Sequence, residues 1–441
     1  MHDVTVNQSP AQRLAGSGNG GRAVRRGPNR LEGITVGFGA FLLLFQSTSL
    51  GVLISLAGLG VFFVAGARSA LLRSVKAYGI TYFEMVMAVI SAFSALAYYY
   101  VGSDISAQFT VLFAITAVST SLIARGHSAE AIFKWAAISH LIMIIVIALI
   151  QPVEIIGALN PANAATRWSS RLRPFGLHPN LVGMIFSGAV IMFLYGFATN
   201  RGRMKLLFGA ATAVSIALVL AASARGGLMA LVLSIVVMGV IYFRRFIAPH
   251  PRMIILTIAG SIILLSLIAG PVTNYIATVL ELNSETRGLQ TGGSGRVERW
   301  LASLEYIENG TLQLFIGSGL RTIGEETLGF TSTENSYLNI AIENGLFVFV
   351  ACVFLFVGGI IRLYQRSMAD PNPVWVFMAW LLIYICIQSF FNRYLLAIGN
   401  SLSFYVLLVT AIAWLPSGNQ AAVRTPRQRM PWETLPPERV R

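Results

Sequence analysis

Residues 179–198 read PNLVGMIFSGAVIMFLYGFA, without one charged side chain. A helix of about 20 residues is roughly 30 Å long, which matches the hydrocarbon core of a bilayer. Pro179 suits the first helical turn, where its missing N–H costs nothing. Working outward, similar apolar runs occupy 32–47, 50–67, 82–101, 105–124, 131–151, 204–222, 226–243, 252–270, 337–361, 374–391 and 395–415. Several are nearer 17 residues than 20. In lipid, a spanning segment must satisfy its own backbone polar groups, so runs of this length are expected to be helices. The expected fold class is all-α: a polytopic helical membrane protein with about 12 transmembrane helices.

Composition points the same way. Of 441 residues, 55% are hydrophobic and only 11% charged, against about 25% charged in ordinary globular chains. Cys352 and Cys386 are the only cysteines and both lie in apolar runs, so no disulfide framework and no cysteine-based metal site is expected. The five histidines, His2, His127, His140, His178 and His250, are scattered. No nucleotide-binding loop is visible. The sequence therefore gives no reason to expect a cofactor or a metal. The first thirty or so residues are polar, Gly-rich and Arg-bearing, with no signal-peptide core.

The net charge of +14 has two readings, nucleic acid or cytoplasmic loops. Alternation of the runs distinguishes them. With the N-terminus in the cytoplasm, 23 of the 32 Lys and Arg residues fall inside, as the positive-inside trend requires. No nucleic-acid partner is expected. The other nine are Arg167, Arg171, Arg173, Arg225, Arg287, Arg296, Arg299, Arg321 and Arg393. All three lysines are inside, so every outer cation is an arginine, the side chain that holds phosphate oxygens in a planar fork. The expected organisation is a disordered cytoplasmic N-terminus at 1–31, helices one to nine over 32–270, and a large outer loop at 271–336. Helices ten to twelve follow over 337–415, with a cytoplasmic tail at 416–441. Within the large loop, Ser294 is placed to cap a helix from about 295 to 309. Val297, Trp300, Leu301, Leu304 and Ile307 recur on one face, the pattern of an amphipathic helix lying on the membrane or on the bundle.

Three outer patches hold candidate chemistry. Arg171-Leu172-Arg173-Pro174-Phe175-Gly176-Leu177-His178-Pro179-Asn180 is either a structured loop with solvated arginines or an anion site. Ala221-Ala222-Ser223-Ala224-Arg225-Gly226-Gly227 is a very short connection that holds Arg225 at the membrane surface. That arginine is a snorkelling anchor or an anion ligand, and the glycines allow close approach of a neighbour or a ligand. Thr331-Ser332-Thr333-Glu334-Asn335-Ser336-Tyr337-Leu338 leads into a span, so Glu334 is either a helix-terminal carboxylate favoured by the dipole or a catalytic acid–base group. Glu343 lies more than two turns further in, where a carboxylate is costly without a partner.

Together these patches resemble the O-antigen ligase and O-antigen or exopolysaccharide polymerase (Wzy-type) superfamily of bacterial inner membranes. The resemblance rests on Arg173, Gly176, His178, Pro179 and Asn180, then on Ser223, Arg225 and Gly226. It continues through Gly295-Arg296 with Trp300, the Gly317-Ser318-Gly319 turn, and Glu334 to Leu338 with Glu343 and Gly345. It covers about residues 170–350. One position departs from the ligase pattern. Where O-antigen ligases place a histidine before the asparagine of the last motif, this chain has Glu334, which favours the polymerase branch.

The resemblance implies glycosyl transfer at the periplasmic face of the inner membrane, with both termini cytoplasmic. The donor would be a glycan on undecaprenyl diphosphate, and the acceptor a sugar hydroxyl of another lipid-linked unit. It implies catalytic roles for Glu334, Arg225 and Arg173. It implies substrate binding by Arg171, His178, Asn180, Arg296, Asn335 and Tyr337. Arginines would stabilise the diphosphate leaving group without a metal, Glu334 would be the general base with His178 as the alternative, and the amphipathic helix would act as a lid. A chain-length regulator and a flippase are the implied protein partners. Two alternatives stay open: a ligase that attaches glycan to lipid A core or protein, and a transporter or flippase. Transporters tend to place ionisable groups near the midplane and to use repeated, broken spans. Here the ionisable groups crowd one boundary and no repeat is visible.

Overall fold

The computed structural model describes residues 36–39, 42, 51–72, 79–101, 104–160, 171–242, 295–322, 333–396 and 400–416. Among the described residues all regular structure is helical. In chain order the helices are α1 (Gly51–Leu72), α2 (Tyr82–Val101), α3 (Asp104–Gly126), α4 (Ala129–Ile150), the short α5 (Pro152–Leu159) and α6 (Pro179–Thr199). They continue with α7 (Gly202–Ala221), α8 (Arg225–Ile241), α9 (Arg296–Asn309), α10 (Thr311–Ile316), α11 (Ser336–Ala369), α12 (Val374–Gln388) and α13 (Ser401–Trp414). Among the described residues, six segments are long and apolar enough to cross a bilayer: Tyr82–Tyr100, Ser106–Gly126, Ala129–Ile150, Pro179–Thr199, Gly202–Ala221 and Ser336–Ala369. Shorter apolar helices cover Leu56–Arg68, Arg225–Ile241, Val374–Gln388 and Ser401–Trp414. The chain is a polytopic helical membrane protein.

Ten of the expected runs coincide with these helices. The expected span at 252–270, most of that at 32–47, the 1–31 segment and the tail beyond 416 lie outside the described residues. Four boundaries move by three residues or more, and the runs expected to end at 67 and 361 continue to Leu72 and Ala369. The run expected at 374–391 ends at Gln388, and the run expected at 395–415 starts only at Ser401. Between them the chain forms a turn, and Asn400 caps α13 by accepting the Ser403 N–H at 2.8 Å. Apolar content alone did not distinguish this turn from helix.

The stretch at 179–198 becomes the centre of the bundle. α6 is buried along nearly its whole length and packs against α4, α7, α8 and α12. Small residues permit the closest approach. A Cβ on Gly227 of α8 would lie 2.8 Å from the Gly183 carbonyl of α6. The two helix starts, one bearing Asn180 and the other Arg225, are therefore locked backbone to backbone, as small residues allow in membrane helices. On the far side of the bundle, Arg125 grips both carboxylate oxygens of Glu84, at 2.7 and 2.6 Å, and joins α2 to α3.

α11 is not the continuous span that its hydropathy suggests. It breaks at Gly345, which has φ 81° and ψ 167°, a conformation essentially closed to other residues. The break frees the carbonyls of Ile342 and Glu343. The Ser318 and Gly319 N–H groups donate to them at 2.9 and 2.7 Å. The Gly317-Ser318-Gly319 turn is thus a plug for a broken helix. A Cβ on Gly345 would lie 2.2 Å from the Phe315 carbonyl oxygen. Gly345→Ala is expected to cost at least ~3 kcal/mol through strain and overlap together. Thermal unfolding in detergent would read this as a large drop in midpoint, with the exposed neighbour Leu346→Ala nearly unchanged.

Candidate functional site

The three sequence patches meet at one end of the bundle. The contact begins with orphaned helix ends. The last carbonyls of α7 have no partner within the helix. The loop at 171–178 supplies one set of donors. Leu172 donates its N–H to the Ala221 carbonyl at 3.1 Å. Arg171 donates from Nε to the Ala222 carbonyl at 3.0 Å and from Nη2 to the Ser223 carbonyl at 3.2 Å. Its side chain is buried, and a guanidinium at a helix C-terminus is also favoured by the helix dipole. Arg171 therefore pins the α7–α8 turn that presents Arg225, the first residue of α8. Gly226 lies against Phe391, whose Cβ would be 2.9 Å from an added Cβ. The glycines at 226 and 227 serve protein neighbours.

Asn180 is the joint between the first and third patches. Its backbone N–H donates to His178 Nδ1 at 3.3 Å, and its side-chain Nδ2 donates to Glu334 Oε2 at 3.3 Å. Its carbonyl accepts from Asn392 Nδ2 at 3.4 Å. With Nδ1 accepting, a neutral His178 carries its proton on Nε2. Loss of solvent around the ring pushes the His178 pKa below its ordinary value. Glu334 acts against this, and the charges of Arg171, Arg393 and Arg173 add to it. The balance of these effects favours the neutral ring over the charged one. Arg173 itself is exposed at the start of the Pro174–Gly176 turn.

Glu334 does not cap α11. Asn335 does, accepting from the N–H groups of Tyr337 and Leu338 at 2.9 and 3.3 Å. Glu334 precedes the cap in a left-handed conformation, φ 53°, which turns its carboxylate toward Asn180. Tyr337 donates its hydroxyl to the Cys386 carbonyl at 2.7 Å. Asn335 and Tyr337 thus spend these polar groups on holding Glu334 in place. Among the described residues, the non-glycine residues with positive φ are Phe175, Ser223, Arg321 and Glu334. Every one lies in a segment that builds this site. Such backbone costs about 1–3 kcal/mol per residue and gathers where geometry is imposed for function.

The turn after α12 ties the parts together and was not singled out by sequence. Ser336 donates its N–H to the Ser389 carbonyl at 2.8 Å and its hydroxyl to the Asn392 carbonyl. Leu395 returns an N–H to the Ser336 hydroxyl at 3.1 Å. Arg393 and Arg321 enter the site through this turn and the plug. Both stood among the nine arginines placed against the positive-inside trend, and neither carries a motif. The charge of Arg393 acts on His178, Arg321 and Glu343. Glu343, at the α11 break, has the partner its depth demands: its carboxylate accepts the Arg321 backbone N–H and lies in the field of both arginines.

The amphipathic helix is α9, Arg296–Asn309, with Gly295 at its N-cap position. Ser294, the expected cap, lies outside the described residues. Its apolar stripe divides. Trp300 turns inward and donates Nε1 to the Thr333 carbonyl at 3.1 Å, one residue from Glu334. Val297, Leu301 and Leu304 are 47%, 61% and 51% exposed. The helix therefore leans on the bundle by one edge and offers its apolar stripe outward. Arg296 occupies its first turn. Among the described residues, no three His, Cys, Asp or Glu side chains gather as a metal site would need.

The comparisons with known proteins cover part of this end of the molecule. No curated protein matches the chain. Residues 210–354 match the sequence model of a family described as O-antigen ligase. The matched segment contains the Arg225 turn, α9, the plug, Glu334 and the broken start of α11. About a third of the chain, residues 210–354, is thus similar to the O-antigen ligase family.

Proposed function

We propose that the protein is a polysaccharide polymerase, a glycosyltransferase acting at the periplasmic face of the bacterial inner membrane. The observation that carries this reading is the Asn180–Glu334 hydrogen bond. It joins the carboxylate of Glu334 to the first patch, whose Arg171 in turn holds the turn that carries Arg225. The donor is a growing glycan on undecaprenyl diphosphate, and the acceptor is a sugar hydroxyl on another lipid-linked repeat. The hydroxyl oxygen attacks the anomeric carbon, and the bond from that carbon to the diphosphate oxygen breaks. Its electron pair leaves with undecaprenyl diphosphate, and the hydroxyl proton passes to Glu334. Arg225 and Arg173 stabilise the charge that builds on the leaving oxygen, as fixed cations do best in a site of low dielectric. No metal is required for this division of labour. Arg171 positions Arg225, and α9 covers the lipid-linked donor.

Glu334 is preferred to His178 as base because the Nδ1 lone pair of His178 already accepts the Asn180 N–H. The site end faces outward if the loops that hold 23 of 32 basic residues face the cytoplasm. The break in α11 is a device that transporters also use. Here its freed carbonyls are taken by the plug, which favours a fixed catalytic floor over a moving gate. Deletion of the gene tests the branch. A polymerase mutant accumulates single lipid-linked repeats. Long polymer left on undecaprenyl diphosphate would instead identify a ligase.

A further inference from the structure

Arg393 belongs to none of the sequence motifs, yet it stands at the junction of all three patches. The residue before it, Asn392, bonds both Asn180 and, through its carbonyl, Ser336. The residue before that, Phe391, packs on Gly226 beside Arg225. The Arg393 side chain is half-buried, lies over the Tyr394 ring at 5.9 Å and hydrogen-bonds with Tyr394. Arg321 faces the same space from the plug, its guanidinium 5.2 Å from the centre of the Phe109 ring.

Among the described residues, positive charge outnumbers negative in this space. The groups whose charges act on one another here are four guanidiniums, Arg171, Arg173, Arg321 and Arg393, and two carboxylates, Glu334 and Glu343. Arg321 and Arg393 are close enough to repel, and burial together with this repulsion lowers the pKa of Arg321, with Glu343 opposing. Held cations with an excess of positive charge, in a setting poorer in water than the surface, invite an anion. Each phosphate of a lipid–diphosphate–sugar carries a negative charge.

We propose that Arg393 is a further diphosphate-binding residue of this site, presented by the turn between α12 and α13, and that Arg321, anchored by Glu343, forms the opposite wall of the same grip. The inference rests on the glycosyl-transfer reading and deepens it, by adding to the phosphate ligands two residues that no motif marks. Tyr394 orients the Arg393 fork. A fork is needed because two phosphate oxygens are held at once.

The test is direct binding to the purified full-length protein in nanodiscs, with undecaprenyl diphosphate and the neutral undecaprenol as probes. Arg393→Gln is expected to bind undecaprenyl diphosphate about tenfold or more weakly, a loss of about 1.4 kcal/mol or more, with undecaprenol unchanged. Arg393→Lys, which keeps the charge and loses the fork, is expected to recover part of the affinity. Unfolding midpoints on the same samples show whether each variant is folded. Unchanged diphosphate affinity in Arg393→Gln, with affinity lost in Arg225→Ala, would overturn the role of Arg393 and leave the glycosyl-transfer reading standing. An equal loss for undecaprenol in the glutamine variant would overturn it too, because the effect would not be on phosphate. A parent protein that shows no preference for the diphosphate over undecaprenol would overturn both.

Discussion

Arg225→Ala is expected to reduce glycan transfer by at least ~10²–10³-fold, the loss typical of removing one preorganised group from a developing oxyanion. The expectation follows from how Arg225 is held. Its turn is pinned from below by the buried Arg171, which satisfies the Ala222 and Ser223 carbonyls. It is closed laterally by the contact of Gly227 with Gly183. A cation fixed in this way does not need to reorganise when the leaving group charges. The mutation removes the charge and leaves the pins, so the protein should insert and unfold like its parent. Polymer length on gels, with membrane-inserted protein measured alongside, checks both halves. Arg171→Ala should behave differently. It strips donors from buried carbonyls, so it should lower the unfolding midpoint together with activity.

Glu334→Gln carries the second large expected effect. A positioned general base is worth about 10²–10⁴-fold, and glutamine keeps the shape while losing the proton acceptor. Glutamine can still face Asn180, since its carbonyl accepts the same Nδ2–H that Glu334 Oε2 accepts at 3.3 Å. Fold and site should therefore persist while turnover falls. Glu334→His places the residue type of the ligase pattern at the same position and should retain part of the activity. Polymer formation in a complemented deletion strain measures each variant. Full activity in the glutamine variant would remove Glu334 from the mechanism.

How much of this was legible in the sequence depended on what each residue answers to. The apolar runs answered to bilayer thickness, so the ten described runs fall on helices even where their ends shift. Arg225 and Arg173 answered to charge placement, because arginines outside the positive-inside trend stand out in one dimension. Other features answer only to packing. Gly345 sits in an apolar run as any glycine might, and nothing nearby in sequence reports that α11 breaks there to receive the 317–319 plug. The 389–396 turn is apolar enough to pass for helix, which hid the place of Arg393. Asn335 stood beside Glu334 in a motif and was read as a substrate ligand, and the fold adds that its side chain caps α11. Arg171 was read with Arg173 as an anion ligand, and its donors serve the end of α7. Apart from the Asn335 cap, which is local, a long-range partner decided the role. The Asn180–Glu334 pair, 154 residues apart, is the same kind of fact: the motifs marked each residue for a separate role, and only the fold joins them.

The central claim is transfer of a glycan from a lipid diphosphate by the residues at this one end of the bundle. Its most direct test is reconstitution of the purified protein in liposomes with a synthetic undecaprenyl-diphosphate-linked repeat, in the presence of a chelator. Released undecaprenyl diphosphate and glycan length are followed together. The prediction is that glycans lengthen by whole repeats, that one undecaprenyl diphosphate is released per bond formed, and that both signals vanish in Arg225→Ala and Glu334→Gln. Lengthening and release that persist in both variants, or their absence with the parent protein, would contradict the account.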